Sequence, residues 1–282
     1  MKPTGIFLAF ATAISFTACN NNQSSSTSPS SDSMNNANMA PSLKEENIVY
    51  SGDGANMNGY IVYDENKKGA RPAVLVVHEW WGQTDYPRMR ARELAKLGYV
   101  AMAVDIYGDG KTIETPDDAG KMAAGFYTNP PKEKIRFDAA LNKLKTYPQV
   151  DTNNIAAMGY CFGGGLVLNM ARMGDNLKGV VSFHGNMSGA PADKNLLKAK
   201  ILVCHGADDK FVLAPEVQQF KKQMDSIGAD YEFKQYPNAT HAFTNPAATA
   251  KGEKYKLAIA YNGVADTASW NDMKAFFLRL FK

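Results

Sequence analysis

The sequence is short of cysteine and histidine, with 3 and 4 in 282 residues. Cys19, Cys161 and Cys204 are too few for a disulfide framework. No C-x-x-C pair occurs, so nothing points to a thiol–disulfide redox motif. A Cys161–Cys204 bridge is possible on paper, but both residues stand where other duties are expected. Excess charge is also lacking: 31 Lys and Arg against 28 Asp and Glu give +3, with no basic block. Nucleic acid and acidic polymers are therefore not implied as partners. No apolar run reaches the roughly 18 residues that a spanning helix needs. No internal repeat is visible. What is present is ordinary globular composition, 45% apolar and 21% charged, enough for a sizeable core.

The first residues differ from the rest. Met1 to Ala18 carries one positive charge, Lys2, then an apolar segment from Ile6 to Phe16. A short positive start, a short apolar core and small residues before a cut form a secretory signal. Cys19 directly after that cut resembles a bacterial lipoprotein signal, in which it becomes the lipid-bearing first residue. Phe16 departs from the aliphatic residue usual at its position, and a plain secreted protein is the alternative. Buried acyl carbons contribute about 0.8 kcal/mol each, so two or more chains anchor firmly. Asn20 to Pro41 is Asn/Ser-rich and nearly free of large apolar side chains. Such a stretch cannot offset its ordering entropy and is expected to be a tether. The expected organisation is a signal peptide at 1–18, lipid anchor and linker at 19–43, and one domain at 44–282. The chain is expected outside the cytoplasm, on the periplasmic side or cell surface of a bacterial membrane, touching lipid only through its anchor.

Within the domain, Asn47 to Tyr50 and Asn58 to Tyr63 suggest a hairpin around Ser51-Gly52-Asp53-Gly54. Ala73 to His78 is a continuous apolar run suited to a strand buried on both faces. Further strands are expected at Tyr99–Val104, Ile155–Met158, Lys178–Phe183, Ala199–His205 and Asp230–Tyr236. Helices are expected at Pro87–Leu97, Pro116–Tyr127, Pro131–Thr146, Ala214–Ile227, Ala250–Tyr261 and Asp266–Phe281. This alternation predicts an α/β fold, a mostly parallel central sheet with helices on both faces. Sites in such sheets form at the carboxyl ends of strands. Glu79, Asp105, Cys161, His184, Asp208/Asp209 and His241 all fall there.

One stretch organises these positions. Ile155-Ala156-Ala157-Met158 leads into Gly159-Tyr160-Cys161-Phe162-Gly163 and then an apolar helical run. Strand, sharp turn and helix around G-x-nucleophile-x-G form a nucleophile elbow, here with cysteine. A glycine-rich turn around a buried structural cysteine would look the same in isolation. A nucleophilic thiol needs a base, and the base an orienting acid. His184, His205 and His241 follow Cys161. Only His241 also follows the acidic pair Asp208-Asp209 and lies in a loop on the correct edge. Nucleophile, acid, histidine is the chain order of the α/β-hydrolase triad. A helix beginning near Phe162 would set its positive end beside the sulfur. The Phe162 N–H and one near Trp80 would form the oxyanion hole. Glu79 is out of place there, because a carboxylate repels developing negative charge.

With these residues placed, the chain resembles the dienelactone hydrolase family of α/β-hydrolases, from about Asn47 to Phe281. The resemblance rests on His78-Glu79-Trp80-Trp81-Gly82, Arg90-Ala91-Arg92-Glu93-Leu94-Ala95, Asp105-Ile106-Tyr107-Gly108, Gly159-Tyr160-Cys161-Phe162-Gly163-Gly164, His205-Gly206-Ala207-Asp208-Asp209-Lys210-Phe211-Val212 and His241-Ala242-Phe243. It implies Cys161 as nucleophile and His241 as base. It selects Asp209 over Asp208, because the family's aspartate stands three residues before a valine, here Val212. It implies that Glu79 activates the nucleophile by interacting with the thiol until substrate shifts it. Two arginines that grip the substrate carboxylate in the dienelactone-cleaving members are missing. Gly108-Asp109-Gly110-Lys111 and Phe243-Thr244-Asn245-Pro246 stand in their places, leaving Lys111 as a candidate point charge. The expectation is a monomeric ester or lactone hydrolase working through an acyl-thioester. Its substrate is a small molecule other than the usual dienelactone, and no metal or organic cofactor is implied. The alternative is a non-catalytic, lipid-anchored binding protein on the same fold.

Overall fold

The computed structural model describes residue 13 and residues 40–282. The expected signal segment, Cys19 and the linker as far as residue 39 fall outside the described residues, Ala13 apart.

Eight strands form one sheet: β1 (Leu43–Gly52), β2 (Ala55–Asp64), β3 (Arg71–Val77), β4 (Val100–Val104), β5 (Val150–Tyr160), β6 (Gly179–Phe183), β7 (Lys200–Gly206) and β8 (Tyr231–Tyr236). Their spatial order is β1-β2-β4-β3-β5-β6-β7-β8. The β1–β2 and β2–β4 pairs are antiparallel, and every pair from β4 to β8 is parallel. The helices are α1 (Asp85–Lys96), α2 (Pro116–Tyr127), α3 (Pro130–Lys145), α4 (Phe162–Arg172), α5 (Ala214–Ile227), α6 (Ala248–Tyr255) and α7 (Gly263–Leu280).

Successive residues of a strand point to opposite faces, so each central strand must bury both. Leu75 and Val77 of β3 join a core with Phe137 of α3, Leu166 of α4 and Phe220 of α5. Val74 and Val76 join a second core with Leu94 of α1 and Phe277 of α7. All five β3 residues from Ala73 to Val77 are fully buried. Burying each valine or leucine contributes roughly 1.5–3 kcal/mol, so the sheet is held from both sides.

Several boundaries differ from the sequence expectation. β1 starts at Leu43 rather than Asn47, because its polar first half pairs with β2 at the sheet edge, Leu43 opposite Asp64. α7 opens at Gly263, three residues early, where the Asn262 side chain accepts the Ala265 N–H. The helix expected over Ala250–Tyr261 ends at Tyr255. Lys256 turns left-handed (φ 54°, ψ 42°), and Leu257 N–H closes back on Gly252 O at 3.0 Å. The freed residues lay Ile259 beside His241 as a short parallel bridge. A packing demand distant in sequence thus overrides helical spacing and furnishes one wall of the cavity described next.

Candidate active site

β5 runs into α4 through Cys161, the residue that caps the helix with φ 52° and ψ −112°. A non-glycine residue there stores strain of roughly 1–3 kcal/mol. The turn is tight enough to require both flanking glycines. A Cβ on Gly159 would lie 2.1 Å from Gly163 O, and one on Gly163 would lie 2.5 Å from Val77 O. The Cys161 N–H is held by Phe183 O at 3.0 Å and His184 Nδ1 at 3.1 Å.

His241 and Asp209 come from loops after β8 and β7. His241 Nδ1 lies 2.9 Å from Asp209 Oδ2, and both residues are buried. Asp209 Oδ1 accepts the N–H groups of Phe211 at 2.7 Å and Val212 at 3.0 Å. That turn fixes Asp209, while Asp208 faces solvent. Burial opposes the charge on Asp209, but the hydrogen bond and charge of His241 together with the Val212 and Phe211 N–H groups outweigh it and hold the carboxyl below its ordinary value. Burial also pushes His241 down. The neighbouring Cys161 sulfur and the hydrogen bond and charge of Asp209 together outweigh that and raise it to about 10. With Nδ1 engaged by Asp209, Nε2 is the nitrogen left for the thiol.

The loop after β3 meets the elbow from the other side. Gly163 N–H donates to His78 O at 3.0 Å. Ile106 N–H donates to His78 Nε2, so Nδ1 carries the proton and donates to Glu79 O at 2.6 Å. Burial lowers the His78 pKa and keeps the ring neutral. Its bond orients the Glu79–Trp80 peptide, whose N–H points opposite to the anchored carbonyl. The Trp80 and Phe162 N–H groups carry no hydrogen bond among the described residues.

The Glu79 side chain is buried and lines the same cavity as Cys161. Its Oε2 accepts from Asn245 Nδ2 at 2.6 Å, so this carboxylate is held by an amide and not by the thiol. Burial raises its pKa, with Asn245 the largest opposing influence. Lys111 does not join the site. It is half exposed, pairs with Asp109 at 3.4 Å and is absent from the cavity wall.

Both ring nitrogens of His184 are engaged. Its Nδ1 accepts from Cys161 N–H, and its Nε2–H donates to Thr244 Oγ1 at 2.8 Å. Burial first, and His241 next, push its pKa well below the ordinary range, so it stays a neutral prop. His205 lies buried away from the cavity wall. Cys204 is free and fully buried, and burial pushes its thiol up to about 12, which leaves it inert.

A cavity of about 250 Å³ opens over Cys161 and His241. Trp80, Trp81, Tyr127, Phe211, Val212 and Ile259 supply most of its apolar wall. Sequence reasoning missed Tyr127, Asn186 and Asn245 as site residues. Asn245 had a signal, since it stands where the missing arginine was sought; Tyr127 and Asn186 had none. Among the described residues no group of three His, Cys, Asp or Glu side chains is placed to hold a metal ion.

The sheet order, the elbow at the end of β5 and the open cavity above it define an α/β-hydrolase. The pattern of the dienelactone hydrolase family matches residues 57–281, and the chain belongs to that family. Protein usf of Aquifex pyrophilus is 30% identical over 236 residues, covering 82% of this chain and 96% of that one. A putative carboxymethylenebutenolidase of Aquifex aeolicus (strain VF5) is 31% identical over 208 residues, covering 70% and 86%. The crystal structure of a dienelactone hydrolase-like promiscuous phosphotriesterase from metagenomic libraries superposes with a TM-score of 0.80 at 32% identity, covering 85% of this chain and 99% of that one. The family is one of hydrolases, so the binding-only alternative is not favoured.

Proposed function

We propose that this chain hydrolyses a carboxylic ester or lactone through a thioester on Cys161. The observation that carries the reading is His241, hydrogen-bonded to Asp209 at 2.9 Å and lining one cavity with Cys161, the residue of the strained turn. Cys161 Sγ attacks the carbonyl carbon, and the carbonyl oxygen becomes an oxyanion received by the N–H groups of Trp80 and Phe162. Collapse breaks the C–O bond to the alcohol, which takes its proton from His241 Nε2. Water then gives a proton to His241 and adds to the thioester. The second collapse frees the acid and restores Cys161. Asp209 keeps Nδ1 protonated and Nε2 aimed at the sulfur throughout. Glu79 has the activating role: it leaves Asn245 when substrate enters and takes the thiol proton while His241 already carries the proton that goes to the alcohol, and it returns that proton to Cys161 after the acid departs. One chain supplies every residue named, so a monomer suffices. The N-terminal pattern supports an exported enzyme acylated at Cys19.

The test is turnover of a panel of activated esters and lactones by the purified protein and by Cys161→Ala. The proposal expects the wild type to turn over at least one class and Cys161→Ala to lose that activity. Equal rates in the two proteins would overturn it.

A further inference from the structure

Resting on the hydrolase reading above, we propose that the site takes uncharged esters or lactones with a short apolar acyl arm, and rejects an arm ending in a carboxylate. The cavity holds about 250 Å³, against the roughly 150 Å³ that accommodates a benzene ring. It therefore has room for a short arm beyond the reacting carbonyl. No arginine or lysine lines it. Each nearby cation already has a partner, Lys251 lying over a wall residue and attracted by Glu79. Lys111 pairs with Asp109, Lys251 lies 4.0 Å from the centre of the Trp81 ring, and Arg90 is held by Thr244 O, Glu93 and Asp266. His241 is the one cationic group at the wall, and Asp209 already balances it. The remaining ionisable carboxyl is Glu79, which has the same sign as an incoming carboxylate. A substrate anion would thus lose its water without gaining a counter-ion, and a buried unpaired charge is strongly disfavoured.

The mouth fits the same substrate. Phe211 and Tyr127 line the cavity yet are 45% and 38% exposed, so its rim is aromatic. Asn186 is the one neutral amide in the wall. An amide can donate through its Nδ2–H groups to an ester or ketone oxygen without attracting charge. Gly120 of α2 also lines the cavity, and a Cβ there would meet nothing within 4 Å. A side chain can be added at this position without disturbing the fold.

The experiment compares p-nitrophenyl hexanoate with the mono-p-nitrophenyl ester of adipic acid, whose arm ends in a carboxylate instead of a methyl. We expect kcat/KM to favour the hexanoate by about a hundredfold or more. Gly120→Arg should cut that preference by about tenfold or more, while Gly120→Gln, of similar bulk without charge, should leave it. In Cys161→Ala, tryptophan fluorescence reads binding of dimethyl adipate against monomethyl adipate without turnover. Turnover of both esters at comparable kcat/KM would overturn the substrate assignment while leaving the hydrolase reading intact. Tighter binding of the diester with no turnover of either ester would uphold the preference while sinking the reading beneath it. Equal binding of the two adipates would overturn the preference whatever the turnover.

Discussion

Replacing Asn245 with alanine removes the side-chain donor that holds Glu79 at 2.6 Å in a buried setting. A hydrogen bond to a charged group contributes about 1.5–3 kcal/mol, and one between neutral groups about 0.5–1.5 kcal/mol. The loss should therefore depend on whether Glu79 is ionised. Burial raises its pKa above the ordinary 4.5, so the native state holds this proton more tightly than the unfolded chain. The contribution of Glu79 to stability is then most favourable below pH 4.5 and is lost as pH rises through the raised folded value. Above that value the ionised carboxylate depends on Asn245. Asn245→Ala should cost about 0.5–1.5 kcal/mol near pH 5 and about 1.5–3 kcal/mol near pH 9. The difference of about 1–2 kcal/mol raises the folded pKa by about one unit and extends the window of loss upward by as much. Asn245 Oδ1 also accepts the Ala247 N–H, a bond whose loss is the same at both pH values and cancels. Urea denaturation at the two pH values, with m unchanged, gives the numbers. In a Glu79→Gln background the pH difference should vanish. A loss equal at both pH values, or a difference that survives in that background, would refute the reasoning.

Asp209→Asn should lower kcat on the order of a thousandfold, because His241 loses the partner that fixes its tautomer. Asp208→Asn, on the solvent side of the same turn, should stay within about twofold; steady-state kinetics on one activated ester compares them. Gly159→Ala drives a Cβ to 2.1 Å from Gly163 O. It should destabilise by about 3 kcal/mol or more in chemical denaturation, and a loss under about 1 kcal/mol would contradict the elbow packing. Cys19→Ala in a bacterial host should abolish metabolic labelling with a radioactive fatty acid and release the protein from the membrane fraction. Unchanged labelling would exclude Cys19 as the acylated residue.

The parallel sheet was legible because its central strands bury both faces. That demand writes continuous apolar runs such as Ala73–Val77 into the chain, with glycines and capping residues between them. The elbow was legible because its close contacts admit only glycine at 159 and 163. The choice between Asp208 and Asp209 needed the resemblance. What separates them physically is the turn in which Asp209 takes the N–H groups of Phe211 and Val212. The partner of Glu79 was hidden, since Asn245 lies 166 residues away and no local pattern links them. His184 stood at the right strand end, but its work as an acceptor for Cys161 N–H depends on a left-handed backbone (φ 41°) and on Thr244 beyond it. The break at Tyr255 escaped for a similar reason. Helical spacing continues past it, while tertiary packing draws Ile259 to His241.

A covalent acyl group on Cys161 is the most direct consequence of this account. The protein would be mixed with an activated ester, quenched in acid within its first turnovers, digested and mapped by mass spectrometry. The account predicts the acyl mass on the peptide containing Cys161, absent from Cys161→Ala and chased off by time in water. Turnover with no acyl mass on that peptide, or with the mass on another residue, would contradict it.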